Sequence, residues 1–133
     1  MHRSHTFLIV LLLLFAVLLS ACSSTTKLNG TDWQLVELNG QKLPAHIQIT
    51  LGFQEDQAGG KAPCNNYGAS YTQKGSKLIF DQANTTLMYC DGVMDYETDY
   101  FAAFSVVKSF RLENDVLSLL DESSTVVLVF GKP

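Results

Sequence analysis

The sequence predicts a mainly β fold with one helix (α+β): a small antiparallel, partly closed, barrel-like sheet of seven or eight strands, covered by a late amphipathic helix. Three observations predict it. From residue 31 onward, hydropathy alternates with period two in short segments. Turn signals such as Asn39-Gly40 separate these segments. One later segment instead places apolar residues three and four positions apart.

Eight segments are predicted as strands, and two of them carry the clearest signals. Residues 46–53 alternate cleanly, which places Ile47, Ile49, Leu51 and Phe53 on one buried face. Residues 125–130 are nearly all apolar, so we expect that strand to be central and covered on both faces. The other predicted strands are residues 33–38, 67–72, 77–80, 85–89, 109–113 and 116–120.

A helix is predicted between the fifth and sixth of these strands. Its apolar stripe consists of Val93, Tyr96, Tyr100, Phe104 and Val107. Asp91 is the predicted N-cap, and the acidic residues 95, 97 and 99 lie in early turns, where the helix dipole favours negative charge. The acidic cluster lacks the spacing and the glycine of a calcium loop, so we interpret it as part of the helix start.

The N-terminus has the features of an export signal. Residues 7–19 are 13 consecutive apolar residues behind a short segment with Arg3. A permanent helical span needs roughly 20 such residues, so we predict that residues 1–21 are a cleaved signal peptide. Leu19-Ser20-Ala21-Cys22 resembles the lipobox of bacterial lipoproteins. The resemblance implies that Cys22 carries diacylglycerol and an amide-linked acyl chain such as palmitate; the alternative is an ordinary signal peptide with an incidental cysteine.

The organisation that follows has three parts: the signal peptide, a polar tether at residues 22–30, and a domain at residues 31–133. Ser23, the residue after the lipidated position, predicts sorting to the outer membrane with the domain facing the periplasm. The formal net charge of −4 argues against a nucleic-acid partner, which would require a basic excess.

Two motifs in the domain resemble a known family. The first is Cys64-Asn65-Asn66-Tyr67-Gly68-Ala69-Ser70-Tyr71, and the second is Thr86-Leu87-Met88-Tyr89-Cys90. They are similar to the Gly-Cys-Asn-x-aromatic-x-Gly-x-Tyr and Thr-x-Met-x-Cys patterns of the META domain, whose family includes the heat-shock-inducible HslJ-like lipoproteins. The motif residues in this chain are Cys64, Asn65, Tyr67, Gly68, Tyr71, Thr86, Met88 and Cys90.

The resemblance implies a compact barrel-like fold with a helix, in an envelope protein linked to stress response and drug tolerance. It does not imply a known reaction. This chain departs from the pattern at Pro63, before the cysteine, and at Ala69, where the family has its glycine. If residue 69 required a positive φ, the alanine would cost about 1 kcal/mol.

Residues able to do chemistry are few after Cys22. His46 is the single histidine there, and we interpret it as a surface or strand-edge residue. With Cys64 and Cys90 it would supply three metal ligands without paired spacing, so no metal site is predicted. No nucleophile elbow, zinc-binding helix motif or phosphate loop is present in the sequence. We therefore predict neither enzymatic activity nor a cofactor besides the covalent lipid.

Cys64 and Cys90 are the two cysteines left once Cys22 is lipidated, and an oxidising compartment favours a disulfide between them. The alternative is a pair of buried thiols.

The leading hypothesis is a non-catalytic outer-membrane lipoprotein that binds or stabilises an envelope protein. A second hypothesis is a carrier or piloting chaperone for an acyl chain or amphipathic helix. Such a carrier would hold its hydrophobic ligand in a groove lined by Tyr96, Tyr100, Phe101 and Phe104. A third hypothesis is a thiol-redox enzyme, although the 26-residue separation of the cysteines differs from a Cys-x-x-Cys motif.

Overall fold

The computed structural model describes residues 26–133. The predicted signal peptide, Cys22 and the first part of the tether therefore lie outside the described residues. The described chain forms ten strands and one helix. In chain order these are β1 (Thr31–Leu38), β2 (Gln41–Lys42), β3 (Thr50–Gln54), β4 (Gln57–Lys61), β5 (Asn66–Lys74), β6 (Lys77–Phe80), β7 (Asn84–Thr85), α1 (Met94–Ser105), β8 (Ser109–Glu113), β9 (Val116–Leu120) and β10 (Val126–Gly131).

Eight of the strands close into an antiparallel barrel, which confirms the predicted fold class. The order around the barrel is β1-β3-β4-β5-β6-β8-β9-β10, and β10 pairs back onto β1 through Leu35 and Phe130. Closure in this way leaves no long unpaired strand edge. The pairing between β6 and β8 is the shortest in the barrel, with one residue pair in register, Lys77 and Ser109. The two-residue strands β2 and β7 pair with β1 and β5 outside the barrel.

The core fills the barrel and includes Ile47, Ile49, Leu51 and Phe53, the residues that the period-two pattern placed on a buried face. Trp33, Leu51, Leu117 and Leu128 are all fully buried. The prediction for β10 also holds in part: it is central, between β9 and β1, but its Val129 is only half-buried. No helix among residues 26–133 is long and apolar enough to span a membrane.

Strand β4 was not predicted, because Gln-Ala-Gly-Gly-Lys has neither alternation nor β-branched residues. Its glycines permit an unusually close approach to both neighbouring strands. A Cβ on Gly60 would lie 2.2 Å from the carbonyl oxygen of Thr50, and one on Gly59 would lie 2.5 Å from the carbonyl oxygen of Tyr67. Strand β4 can lie this close to its two neighbours because it has no side chains at these two positions. Hydropathy patterns do not reveal a strand of this kind.

Two predicted strands are shorter in the structure than expected. The segment predicted at 46–53 becomes a strand at Thr50, although Ile47 and Ile49 before it are buried as predicted. The segment predicted at 85–89 ends as a strand at Thr85, and residues 86–90 form a loop. This second difference matters for function, because the loop contains the second family motif.

Helix α1 has the predicted apolar stripe but a different start. It begins at Met94 with Val93 at the N-cap and no side-chain cap, so the prediction that Asp91 caps it was wrong. Tyr100 and Phe104 are buried on its inner face. Glu97 was predicted as one of the acidic residues that the helix dipole stabilises. Its side chain points inward and is 5% exposed, because its carboxylate has hydrogen-bond partners inside the protein.

Candidate functional site

The two family motifs meet in space at the start of β5. Cys64 lies just before β5, and Cys90 lies in the segment that leads into α1. A disulfide joins them, with their Cα atoms 5.7 Å apart. This distance falls within the 4.4–6.8 Å range usual for disulfides. The bond connects segments that are 26 residues apart in sequence and encloses strands β5, β6 and β7 between its ends.

The side chain of Asn65 joins the first motif to the second. It is 3% exposed. Its Oδ1 accepts hydrogen bonds from the Thr86 hydroxyl and the Met88 backbone N–H, both at 2.7 Å. Its Nδ2 donates to the Met88 carbonyl oxygen at 3.0 Å and to Oε1 of Glu97 at 2.5 Å. The amide thereby uses two donor and two acceptor positions, which a buried amide needs in order to avoid a desolvation penalty.

Glu97 completes this network from the helix. Its Oε2 accepts hydrogen bonds from the backbone N–H groups of Cys64 at 2.8 Å and Asn65 at 2.9 Å. A buried carboxylate is costly unless several donors surround it, and three donors surround this one. Within the described part of the chain, no buried side-chain nitrogen or oxygen lacks a hydrogen-bond partner. We call Asn65, Thr86, Glu97 and the Cys64–Cys90 disulfide the clasp.

The clasp fixes a loop whose own side chains point outward. Thr86 accepts a hydrogen bond from the Asn66 backbone N–H at 3.1 Å, and Met88 is held through its backbone as described above. Leu87 is 96% exposed, Met88 54% and Tyr89 78%. We call these three residues the apolar loop. Large apolar side chains that are consecutive, exposed and held by backbone hydrogen bonds are typical of an interaction surface.

A buried pair of tyrosines links β5 to α1 beside the clasp. The hydroxyl oxygens of Tyr67 and Tyr100 are 2.5 Å apart, and the Tyr67 hydroxyl lies 2.7 Å from the carbonyl oxygen of Thr50. A carbonyl can only accept, so Tyr67 donates to Thr50, and Tyr100 must donate to Tyr67. Burial raises the pKa of Tyr67 and of Tyr100 well above the usual value, because ionisation would leave a charge without water. The motif tyrosine at 67 is therefore a structural link.

The remaining first-motif positions are also structural. Gly68 lies opposite Gly59 of β4, and the Tyr71 ring packs edge-on against Phe53 with centroids 5.0 Å apart. Ala69 is buried, and it is not among the residues with positive φ, so the cost considered from the sequence does not arise. Ala69 lies within β5 in register with Ala58 of β4, so this position is regular strand and not a left-handed turn.

The four aromatic residues predicted to line one groove do not do so together. Phe101 and Phe104 line an apolar cleft of about 410 Å³ beside the segment that joins β6 to β7. Tyr100 is fully buried against Tyr67, and Tyr96 lines a different depression near β2. The helix rotates by about 100° per residue, so neighbouring residues of the predicted groove face different directions. The cleft is completed by Phe80, Asp81, Gln82, Ala83, Thr85 and Ser105.

The candidate metal ligands His46, Cys64 and Cys90 are not arranged to hold a metal ion within the described residues. Within residues 26–133, no group of three histidine, cysteine, aspartate or glutamate side chains is placed to hold a metal ion. His46 is exposed before β3, and both Cys64 and Cys90 are in the disulfide.

Two parts of the site were missed from the sequence. The structural role of Glu97 was hidden because acidic residues in the first turn of a helix already have a sufficient explanation. Leu87 and Tyr89 were placed in a strand, yet three consecutive apolar residues cannot all face the same side of a period-two strand. That run was the available signal for a loop with outward side chains.

Comparisons with known proteins agree with the fold. The META domain family matches residues 26–133 of this chain. A protein from Burkholderia xenovorans, solved by NMR, is similar at a TM-score of 0.66 and 24% identity, covering 80% of this chain and 83% of that one. A crystal structure of a duf4847 family protein from Bacteroides vulgatus is similar at a TM-score of 0.61 and 13% identity, covering 80% of this chain and 94% of that one.

No curated protein matches the chain. The structural likenesses are below 25% identity and show the fold alone. The family is not a known enzyme family. Its match spans all the described residues and both motifs that form the clasp, and the chain therefore belongs to the META domain family.

Proposed function

We propose that this protein is an outer-membrane lipoprotein whose barrel is a non-catalytic binding module facing the periplasm, linked to envelope stress. The observation that carries the proposal is the use of the motif side chains. The motif side chain of Asn65 bonds the hydroxyl of Thr86 and the backbone of Met88, which holds the apolar loop in place, and Glu97 of the helix in turn holds Asn65. The motif thus stabilises and presents a surface, as expected of a module that binds.

The same bonds argue against catalysis at the clasp. A general base needs a free acceptor position within reach of a reacting proton, and a nucleophile needs such a base. The Glu97 carboxylate instead accepts from two backbone N–H groups and one side-chain amide. The thiol-redox hypothesis is also disfavoured, because Cys64 is 5% exposed and an attacking thiolate could reach the disulfide only at the partly exposed Cys90.

The anchor in this proposal is the lipid on Cys22. Its basis is the Leu19-Ser20-Ala21-Cys22 sequence, since three acyl chains hold a protein durably at a membrane whereas a single chain does not. The covalent lipid would be the only non-protein group, and its partner would be the membrane itself. The acidic net charge of −4 argues against a nucleic-acid partner.

The test of the anchor is membrane fractionation of Cys22→Ser in the native host. We expect this variant to move from the membrane to the soluble fraction, or to accumulate uncleaved, while Ser24→Ala as the matched control stays with the outer membrane. Mass spectrometry of the control protein should show a diacylglyceryl cysteine at its N-terminus. A mature, unacylated protein that remains in the membrane fraction would contradict the proposal.

The apolar cleft of about 410 Å³ favours a second candidate, a carrier of an acyl chain or an amphipathic helix. Phe80, Phe101 and Phe104 form its apolar wall, and Ala83 lies at its side. Native mass spectrometry of the Cys22→Ser protein isolated from cells would test it. If the protein is a carrier, its spectrum should show the added mass of a bound lipid. Ala83→Trp, which fills the cleft, should abolish this added mass. The control Val116→Trp, at the exposed start of β9, should leave it unchanged. The bare protein mass in every sample would contradict the carrier function.

A further inference from the structure

The apolar loop is presented at the end of β5 opposite to the point where the tether enters the fold. Gln73, near the end of β5, donates from Nε2 to the Thr26 carbonyl oxygen at 2.6 Å and accepts from the Leu28 backbone N–H at 3.1 Å. Asn65, which holds the apolar loop, directly precedes the first residue of the same strand. The seven residue steps along the strand from Asn66 to Gln73 correspond to about 23 Å.

This placement directs the apolar loop away from the anchoring membrane. The four residue steps from Cys22 to Thr26 can extend over at most about 14 Å, so the tether brings the Gln73 end of β5 close to the lipid. This orientation depends on the proposed lipid anchor at Cys22. With that anchor, the opposite end of the strand projects into the periplasm, where a second protein can reach it.

The charges beside the apolar loop restrict what can cover it. Asp91 follows Tyr89 by two residues, and Asp95 stands in the first turn of α1; both are exposed. On the other side, Lys61 lies in register with Asn66 and is also exposed. The side facing α1 is thus acidic. An anionic lipid surface would be repelled by these aspartates, whereas a partner protein with basic residues would be attracted to them.

We propose that the apolar loop is a docking surface for a second periplasmic protein, one with an apolar pocket that accepts Leu87 and Tyr89 and basic residues opposite Asp91 and Asp95. The pocket buries the side chains of the loop, and the basic rim pairs with the aspartates. Aromatic and aliphatic anchors in a desolvated pocket carry most of the affinity in such interfaces, and the rim sets the association rate and salt dependence. The clasp keeps the loop ordered before binding, which lowers the entropic cost of association.

The experiment is site-specific photo-crosslinking in cells, with the full-length chain. A photo-crosslinking amino acid replaces Leu87, and the matched control carries it in place of Val116, which is also exposed, at 41%. We expect a protein adduct from position 87 that is absent from position 116. The captured protein is then identified, purified and mixed with the purified Cys22→Ser chain.

In that purified pair, Leu87→Ser should weaken binding by about tenfold or more, since a buried leucine contributes about that much. Asp91→Lys should weaken it too, and higher salt should reduce the affinity, whereas Val116→Ser should have no effect. Both loop variants should keep the melting temperature of the parent, because the altered side chains are exposed.

Four outcomes would overturn the proposal: an adduct between two copies of this chain, an adduct to lipid, no adduct from position 87, or a purified complex that Leu87→Ser does not weaken. Flotation of the Cys22→Ser chain with phosphatidylethanolamine–phosphatidylglycerol vesicles identifies the lipid case, in which Leu87→Ser would abolish flotation. The fractionation of Cys22→Ser reports on the anchor separately, so failure of the docking surface and failure of the lipoprotein assignment are distinguishable.

Discussion

Replacing Glu97 with glutamine should destabilise the domain although the two side chains have nearly the same shape. The carboxylate accepts from two backbone N–H groups through Oε2 and from Asn65 through Oε1. Glutamine has one oxygen, which can replace Oε2, and its NH₂ group would then face the NH₂ group of Asn65. One donor of Asn65 is left without an acceptor, and the two backbone bonds lose the contribution of the negative charge.

The magnitude follows from these three contacts. A hydrogen bond to a charged group stabilises by about 1.5–3 kcal/mol and one between neutral groups by about 0.5–1.5 kcal/mol, so each backbone bond weakens by about 1 kcal/mol. An unsatisfied buried donor costs about 1–3 kcal/mol. We expect Glu97→Gln to lower the free energy of unfolding by about 3–5 kcal/mol. For a domain of this size that corresponds to a melting temperature lower by about 12 °C or more.

Urea and thermal denaturation followed by circular dichroism measure this loss. Glu122→Gln, on the exposed turn before β10, is the matched control and should change the free energy of unfolding by less than about 0.5 kcal/mol. Adding Asn65→Asp to Glu97→Gln gives the new NH₂ group an acceptor, so the double-mutant cycle should show a favourable coupling of about 1 kcal/mol or more. If Glu97→Gln matches its control and the cycle shows no coupling, the clasp does not hold the fold as described.

Three further predictions concern other parts of the domain. Removing the disulfide with Cys64→Ala and Cys90→Ala together should lower the free energy of unfolding by about 3.5 kcal/mol, because the closed loop has about 27 residues; equal urea midpoints for parent and variant would contradict this. Phe104→Ala should cost about 3–5 kcal/mol in the same assay, and a loss below about 1 kcal/mol would mean that the ring is not part of the core. The third prediction is a loss of stability above about pH 10, where the unfolded tyrosines ionise but Tyr67 and Tyr100, with their raised pKa, stay protonated. In this pH range each of the two tyrosines lowers the free energy of unfolding by about 1.4 kcal/mol per pH unit. Tyr100→Phe should therefore reduce the slope of the free energy of unfolding against pH, and an unchanged slope would show that Tyr100 does not contribute.

The fold class was predictable because it depends on patterns that a sequence displays directly. Alternation placed Leu51 and Phe53 inside the barrel, and the three-and-four spacing placed Tyr100 and Phe104 on the inner face of the helix. Closure of the barrel was not predictable in the same way. It depends on the pairing of β1 with β10, whose residues are almost the whole domain apart in sequence.

The site was harder to predict because its order comes from side-chain hydrogen bonds. The apolar run at residues 87–89 is a signal for a loop, but hydropathy does not show that Asn65 holds that loop. The family motif marked the right residues but gave no roles, since an asparagine in a motif is compatible with catalysis, ligand binding or structure. The roles follow from the buried position of Glu97, which only the packing of α1 against the start of β5 reveals.

Amide hydrogen exchange at Met88 tests most directly whether the clasp holds an exposed apolar loop in a fixed conformation. The Met88 N–H donates to Oδ1 of Asn65 at 2.7 Å, although its side chain is 54% exposed. We predict that the Met88 amide exchanges as slowly as the amides of the core strands. It should become exposed only when the Cys64 and Asn65 N–H groups, which donate to Glu97, become exposed as well. In Glu97→Gln the three amides should lose protection together. Exchange at Met88 at the rate of an unprotected loop in the parent protein would contradict the account.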